Sequence, residues 1–275
     1  RSRSSLVVDK RLTGPNAGSV YLFWVYTNSV SPGWHGIHGR LSRDGGATWS
    51  PDFVVSGEHI WATLGTSADI GTDGVVYVAW EYTEQALWSN QPQLYLVRST
   101  DYGATWSPEH LISGAPAQYI GGPDWKYRER VLTAAADCSV LRIDEHPRIA
   151  VSPLNSDHVY AVWNDSRWES AITDCLGPGK HSDVAFSRST DGGQTWSPVI
   201  RLNDDAIGNG VDQWQPAINT SADGTIGVTW YDRRYAPDPY FYDVAYTQST
   251  DGGVTWTPNQ RITDVSSNPD SLPDY

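Results

Sequence analysis

Two segments of the chain carry aspartate and arginine at the same spacing, directly after an apolar run that ends in tryptophan. The copies are Trp163/Asp165/Arg167 and Trp230/Asp232/Arg234. A guanidinium can form two parallel hydrogen bonds to a carboxylate, so the pattern allows two interpretations. In one, each Asp pairs with its own Arg, stiffens a strand end and links neighbouring units. In the other, the arginines line a pocket for an anionic or hydroxylated ligand.

Further residues in the same stretches could bind or transform such a ligand. Carboxylates and a phenol can serve as acid, base or nucleophile, whereas arginine and aromatic side chains can hold a ligand in place. The catalytic candidates are Asp165, Asp232, Tyr231 and Glu81. The ligand-binding candidates are Arg148, Arg167, Arg233, Arg234, Trp125, Tyr127, Trp168 and Trp214.

These candidates need a regular scaffold, and an eight-residue phrase that occurs four times supplies it. The phrase is Ser-x-Asp-x-Gly-x-Thr-Trp, and it begins at Ser42, Ser99, Ser189 and Ser249. Asp and Gly favour a tight turn, and Thr-Trp suits the start of a strand. Four copies cannot share one active site, so we expect a structural turn with a Trp wedge rather than catalysis or calcium binding. The residues concerned are Asp44, Asp101, Asp191, Asp251, Trp49, Trp106, Trp196 and Trp256.

The regions around each phrase predict four antiparallel strands per repeat, which is an all-β propeller blade. Apolar runs at Val20–Trp24, Val75–Trp80, Val159–Trp163 and Thr225–Trp230 are typical of strands buried on both faces. We expect one domain with blades at about 5–56, 66–113, 146–202 and 215–263, and 264–275 as a tail or a lead-in to a further blade. The repeated turns should lie at one end of the blades. The variable loops that carry the candidates should lie at the other, where binding usually occurs.

The repeated phrase resembles the Asp-box of the sialidase (BNR-repeat) superfamily. The resemblance implies a sialidase-like β-propeller, normally of six blades, in which the box is structural. Four blades are recognisable here, so additional blades or an oligomer would complete such a ring.

Sialidases hold the substrate carboxylate with three arginines and use a Tyr–Glu pair as nucleophile and an Asp as acid/base. Their first strand carries Arg-Ile-Pro, whereas this chain reads Ser-Leu-Val-Val-Asp at 5–9 and Pro-Arg-Ile only at 147–149. No catalytic position is therefore carried over. We expect recognition of carbohydrate, acidic glycans included, through the long-loop face. The alternatives are an exo-sialidase or another glycoside hydrolase or lyase, and a structural or protein-interaction propeller.

Composition limits the partners and the compartment. The formal net charge of −13 disfavours nucleic acid, and no apolar run is long enough for a membrane span. The chain begins at Arg1 and contains no methionine, so we expect a processed or excised segment of a secreted protein. Cys138 and Cys175 could form one disulfide or remain free thiols.

No cofactor is expected, although calcium could bind at either of two acidic segments. One combines Asn203, Asp204 and Asp205 with Asp212, and the other combines Asp264, Asp270 and Asp274. Solvated acidic turns are the alternative. His59, His146 and His181 show no ligand spacing and are expected to be surface or hydrogen-bonded structural residues.

Overall fold

The computed structural model of the chain consists of β-strands joined by turns. It describes residues 4–28, 34–57, 63–83, 92–113, 122–124, 129–133, 140–143, 146–169, 171–174 and 177–269, and within these ranges there is no α-helix. The described part of the chain therefore contains no helix that is long and apolar enough to cross a membrane. Trp125, Tyr127, Cys138 and Cys175 lie outside the described residues, so the disulfide stays a prediction.

The first half of the chain forms two four-stranded sheets, here called blades 1 and 2, and one smaller sheet. Blade 1 contains β1 (Ser5–Val8), β2 (Val20–Asn28), β3 (Trp34–Ser42) and β4 (Phe53–Val54). Blade 2 contains β5 (Thr63–Ile70), β6 (Val76–Thr83), β7 (Pro92–Ser99) and β8 (His110–Ser113). The smaller sheet has the order β11-β10-β9 and contains β9 (Gly122–Asp124), β10 (Glu129–Thr133) and β11 (Val140–Ile143).

The second half forms blades 3 and 4 in the same way. Blade 3 begins with β12 (Arg148–Val151) and β13 (Val159–Asp165). A hairpin of β14 (Ala171–Asp174) and β15 (Gly177–Lys180) follows, and β16 (Asp183–Ser189) and β17 (Ile200–Arg201) complete the blade. Blade 4 contains β18 (Gln213–Thr220), β19 (Ile226–Asp232), β20 (Asp243–Ser249) and β21 (Gln260–Arg261).

All four blades are antiparallel meanders with the same register. In each, the first apolar residue of the second strand pairs with the Ser that opens the repeated phrase: Val20 with Ser42, Val76 with Ser99, Val159 with Ser189 and Ile226 with Ser249. The predicted four-stranded antiparallel blades are therefore confirmed. We call the end with the repeated turns the box end, and the opposite end, with the loops between second and third strands, the loop end.

The blades stack face to face in chain order, and each junction encloses an apolar cluster. Strand β5 packs against β1 and β2, β12 packs against β5, and β18 packs against β12 and β13. Phe23 and Trp80 belong to the first cluster, Leu96 and Trp163 to the second, and Phe186 and Trp230 to the third. Burial between the blades therefore holds the loop ends in fixed relative positions.

Each repeated turn is closed by its own side chains. In the third copy, Asp191 Oδ1 accepts a hydrogen bond from the Thr195 amide at 2.9 Å, and Asp191 Oδ2 accepts one from Thr195 Oγ1 at 2.5 Å. Ser189 Oγ donates to Asp191 at 2.7 Å and accepts from the Gly193 amide at 2.8 Å. The same bonds recur in the other three copies, which favours the structural role.

The turn of one blade docks on the blade before it. Trp106 packs edge-on to Phe23 at 5.9 Å between ring centroids, and Trp256 packs on Phe186 at 4.9 Å. Gly253 has a φ of 83°, and a Cβ there would lie 2.5 Å from the Phe186 ring. Only glycine fits both the backbone conformation and this close approach.

Burial on both faces holds in the middle of the stack and fails at its ends. Every residue of β13 is buried, whereas β19 alternates between buried and half-buried residues. In β2, Leu22 and Trp24 are likewise only half-buried. The prediction of two buried faces is therefore wrong for blades 1 and 4, because among the described residues each end blade packs against another blade on one face only.

Candidate functional site

The loop end of blades 3 and 4 carries most of the described candidates. Asp165 ends β13 and Asp232 ends β19, and both side chains are fully buried. Arg167 and Arg234 follow two residues later in each blade. The common blade register brings the two copies to equivalent places in adjacent blades.

Asp165 has a complete set of hydrogen-bond donors. Its Oδ2 accepts from the Trp163 indole at 2.8 Å and from Arg167 Nε and Nη2 at 2.9 and 2.6 Å, and its Oδ1 accepts from the Arg167 amide at 2.9 Å. Arg167 Nη2 also donates to Ser113 Oγ of blade 2 at 3.0 Å. These contacts favour the ion pair that stiffens a strand end and links two blades.

Asp232 repeats this arrangement in blade 4. Its Oδ2 accepts from the Trp230 indole at 2.9 Å and from Arg234 Nε at 2.8 Å. Arg234 continues to Asp204 and to Asn259 Oδ1, the latter at 2.7 Å. Burial raises the pKa of Asp232 above its ordinary value, although the Arg234 charge opposes the shift. Both motif arginines are thus held by carboxylates of the protein.

Arg233 points to a different carboxylate from Arg234. Its Nη1 donates to Asp212 Oδ2 at 2.9 Å, and His181 Nδ1 lies 3.1 Å from Asp212 Oδ1. Burial opposes the charged imidazole, but the hydrogen bond to Asp212 and the charges of Asp212 and Glu169 raise the pKa of His181. The Arg233 guanidinium also lies over the Trp214 ring at 5.2 Å.

Glu81 and Arg148 lie further along the stack, at the junction of blades 2 and 3. Glu81 is fully buried, and its Oε2 is 3.1 Å from Nδ1 of the buried His146. Arg148 Nη1 reaches the carbonyls of His146 and Pro147 at 3.4 Å. Of the three histidines singled out in the sequence, His146 and His181 are therefore hydrogen-bonded to carboxylates, and His59 lies outside the described residues.

Two acidic residues at the loop end were missed by sequence reasoning. Burial raises the pKa of both Glu169 and Asp183, and the charge of Asp183 raises that of Glu169 further. Asp183 Oδ1 accepts from Arg201 at 3.0 Å and from Asn203 at 2.7 Å, while its buried Oδ2 has no hydrogen-bond partner. Asp243 pairs with Arg261 at the same blade positions, so aligning the repeats would have revealed the Asp183–Arg201 pair. Glu169 had no comparable signal.

Half-buried aromatic rings surround these groups. Trp168 lies 5.5 Å from the Arg167 guanidinium, and Tyr235 lies 5.1 Å from that of Arg234. Tyr231 and Tyr242 both pack on Trp214, with centroids 5.7 and 5.5 Å from it. Trp214 was predicted to bind a ligand, but only 1% of it is exposed. It therefore supports the two tyrosine rings and does not itself offer a ligand-binding surface.

The acidic segment proposed for calcium is hydrogen-bonded within the protein. Asp205 accepts from Asn203, Asn209 and Gln213 at 2.8, 2.6 and 3.1 Å, and Asp204 pairs with Arg234. Within the described residues, no three His, Cys, Asp or Glu side chains are grouped as metal ligands. Asp270 and Asp274 of the second segment lie outside those residues.

Known proteins match the chain through its repeat and its fold. Residues 187–198, around the third repeated turn, match the BNR/Asp-box repeat family. No curated protein sequence matches the chain significantly.

Several solved structures are similar to the chain over most of its length. The α-L-arabinanase of Penicillium chrysogenum, complexed with arabinobiose, is 15% identical, with 94% of this chain and 65% of that chain covered and a TM-score of 0.56. The intramolecular trans-sialidase of a leech is 10% identical, with coverages of 96% and 51% and a TM-score of 0.56. The α-L-arabinofuranosidase of Fusarium graminearum, complexed with arabinobiose, is 15% identical, with coverages of 90% and 62% and a TM-score of 0.53.

At this identity the likeness concerns the fold, and the chain spans only about half to two thirds of the length of these three proteins. The family match, the four repeated turns and the stacked blades agree with each other. One turn, at residues 187–198, matches the BNR/Asp-box repeat family, the same turn motif occurs four times in the chain, and the fold is that of a β-propeller built from four-stranded blades.

Proposed function

We propose that the protein binds carbohydrate at the loop end of blades 3 and 4, and that the preferred glycan is uncharged. The observation that carries the proposal is the set of half-buried rings, Trp168, Tyr231 and Tyr235, beside fixed Asp–Arg pairs. An aromatic face offers apolar area to a sugar ring, and the flanking polar groups can exchange hydrogen bonds with its hydroxyls. Such a surface suits a hydroxylated ligand.

Electrostatics favour a neutral glycan over an acidic one. Arg167, Arg233 and Arg234 are each held by a carboxylate at 2.6 to 2.9 Å, so a ligand carboxylate would have to displace an internal partner. The net charge of −13 also repels anions at long range. This refines the expectation from sequence, which included acidic glycans.

The solved structures with this fold support the ligand class. Two of them contain arabinobiose, a neutral disaccharide, and the leech trans-sialidase contains 2,7-anhydro-Neu5Ac, which carries a carboxylate. The fold therefore supports carbohydrate as the ligand class, and the preference for an uncharged glycan rests on the paired arginines. We further propose that the protein acts outside the cell, where the predicted Cys138–Cys175 disulfide would be stable.

Binding can be tested on a glycan array followed by calorimetry with the best ligand. Replacing Trp168 with Ala should weaken binding about tenfold or more, which corresponds to about 1.4 kcal/mol, because the sugar loses one stacking face. The control is Trp49→Ala at the box end, which should bind like the wild type. No glycan bound by the folded protein, or equal affinity of the Trp168→Ala variant, would contradict the proposal.

A second candidate function is hydrolysis of the bound glycan. The observation that favours it is Glu169, whose pKa is raised by burial and by the nearby charge of Asp183, while Arg201 and Asn203 donate hydrogen bonds to the Asp183 carboxylate. Glycosidases combine a protonated carboxyl with a second carboxylate. The ligand from the calorimetry is incubated with the protein and analysed for released sugar. Release that disappears in Glu169→Gln would establish hydrolysis, and an intact ligand would leave binding as the function.

A further inference from the structure

The contact between consecutive blades is equivalent at the junctions of blades 2 and 3 and of blades 3 and 4, and it differs in detail at the junction of blades 1 and 2. The later blade contributes an apolar face and the glycines of its box, and the earlier blade contributes side chains of its second and third strands. Gly193 lies on Leu96, Gly253 lies on Phe186, and Gly103 lies near Tyr21. Leu96 and Phe186 occupy the same register position in β7 and β16. At these two junctions a box glycine lies on one third-strand side chain, whereas in blade 1 that position is Gly39, and Gly103 approaches Tyr21 and Phe53 instead.

Blade 1 exposes the apolar half of such a contact. Leu6 and Val8 are 60% and 39% exposed, whereas Ile149 and Val151, at the same register in blade 3, are 6% and 4% exposed. Leu22 and Trp24 continue the same face and are half-buried. An exposed apolar face of this kind marks an interaction surface.

The box of blade 1 is also uncovered. A Cβ at Gly45 would meet nothing within 4 Å, and one at Gly46 would meet only Trp49 of its own turn. Trp49 is exposed, whereas Trp106, Trp196 and Trp256 are half-buried against a preceding blade.

Blade 4 carries the complementary half. Tyr246 occupies the register position of Phe186, and Gly227 occupies that of Tyr160. A side chain at position 227 would begin 3.3 Å from the edge of the Tyr246 ring, so glycine leaves this part of the face open. A cleft of about 310 Å³ opens there and is lined by Asn219, Thr220, Ser221, Thr225, Gly227 and Tyr246. Its place is where blades 1 to 3 receive the box of the next blade.

We propose that two copies of this chain associate head to tail, with the box and apolar face of blade 1 in one copy docked on the outer face of blade 4 in the other. Such an association would continue the interface between blades, because the two exposed faces are the two halves of a contact that the chain already makes between its own blades. Such an interface is heterologous, so it closes into a ring if the rotation allows and otherwise extends.

The test is the mass in solution, measured by light scattering and sedimentation velocity on two single variants. Leu6→Asp places a charge on the blade 1 face, and Gly227→Arg fills the cleft of blade 4. Each variant alone should be shifted towards the monomer of 30.4 kDa. An equimolar mixture of the two should form dimers, because the intact blade 4 of the first variant meets the intact blade 1 of the second.

Matched controls separate association from misfolding. Leu154→Asp changes an exposed leucine of blade 3, on neither end face, and should associate like the wild type. Near-ultraviolet circular dichroism checks the packing of the tryptophans, and Thr229→Arg, on the same face of blade 4, replaces Gly227→Arg if that variant is unfolded. A wild-type protein that stays monomeric over a wide concentration range would overturn the proposal. The proposal would also be overturned if the equimolar mixture of Leu6→Asp and Gly227→Arg stayed monomeric. The same holds if Leu6→Asp abolished association but both blade 4 variants, Gly227→Arg and Thr229→Arg, still associated.

Discussion

At the scale of single residues, the fold shifts the pKa of Asp191 in one box and that of Asp232 at the loop end in opposite directions. Burial would raise the pKa of Asp191, but hydrogen bonds from Thr195 and Ser189 outweigh it and lower the pKa to about 2. At Asp232 burial dominates, and the pKa is raised despite the Arg234 charge. The box carboxylate is therefore a stabilising anion at neutral pH, whereas ionisation of Asp232 works against the fold.

This difference predicts how acid acts on one box. A carboxylate with a lowered folded pKa stabilises the protein above its unfolded pKa of about 3.9, and the contribution is lost as the pH falls through about 2. Asp191→Asn should therefore lose less free energy of unfolding than the wild type between pH 5 and pH 2.5. The difference should stay under about 1 kcal/mol because the group is largely solvated. Urea denaturation at both pH values measures it, with the exposed Asp264→Asn as the control. Parallel losses in Asp191→Asn and wild type would contradict the assignment.

The residue scale also shows where sequence reasoning stopped. The spacing of Trp163, Asp165 and Arg167 identified the interacting groups but left open whether Arg167 faces its own Asp or a ligand. In the structure Arg167 binds its own Asp165 and also Ser113, which lies in another blade and reaches Arg167 only through the stacking. The burial that raises the pKa of Glu169 likewise depends on the packing around it, which no local pattern encodes.

At the scale of elements, the tryptophan of the repeated turn acts as a wedge only where a preceding blade receives it. Trp196 belongs to the apolar cluster between blades 2 and 3, and its indole donates to the Gly193 carbonyl at 3.1 Å. Trp49 stands in the same sequence context in blade 1, yet it is exposed. Trp196 and Trp49 therefore form a matched pair for measuring how much docking on the preceding blade contributes to the free energy of unfolding.

Replacing Trp196 with Ala should lower the free energy of unfolding by about 3 kcal/mol, the lower end for a large aromatic residue, because Trp196 is half-buried. Trp49→Ala should cost less than about 1 kcal/mol. Chemical denaturation of the monomeric Leu6→Asp background measures both changes without interference from association. Equal losses of unfolding free energy in Trp196→Ala and Trp49→Ala would mean that the contact of Trp196 with blade 2 does not stabilise the protein.

The elements themselves were predictable because the local signals agree with the fold. The alternation of apolar strands with Asp-Gly turns indicated four strands per repeat, and the common register confirmed the blades. The same signals could not distinguish an end blade from a middle one. Val20–Trp24 is as apolar as Val159–Trp163, but only the second has blades on both sides.

At the scale of the whole molecule, stability should vary along the stack. In a linear array each unit is stabilised by its neighbours, so end units open more easily than middle ones. Hydrogen exchange of the Leu6→Asp variant, studied as a monomer, should be slowest in β6, β13 and β16 and faster in β2 and β19. Mass spectrometry of the exchanged peptides measures this, and uniform protection across the four blades would contradict it.

The equivalent docking of the boxes of blades 3 and 4 has a consequence for how such chains change in length. Because Gly193 and Gly253 contact equivalent side chains, a duplicated blade inserted after blade 3 would find compatible surfaces on both sides. Unequal recombination between two blades could therefore add or remove one unit without requiring a new interface to evolve. The loops at the opposite end would be copied along with the unit and would then be free to diverge, so a gain in length would also supply raw material for a new specificity.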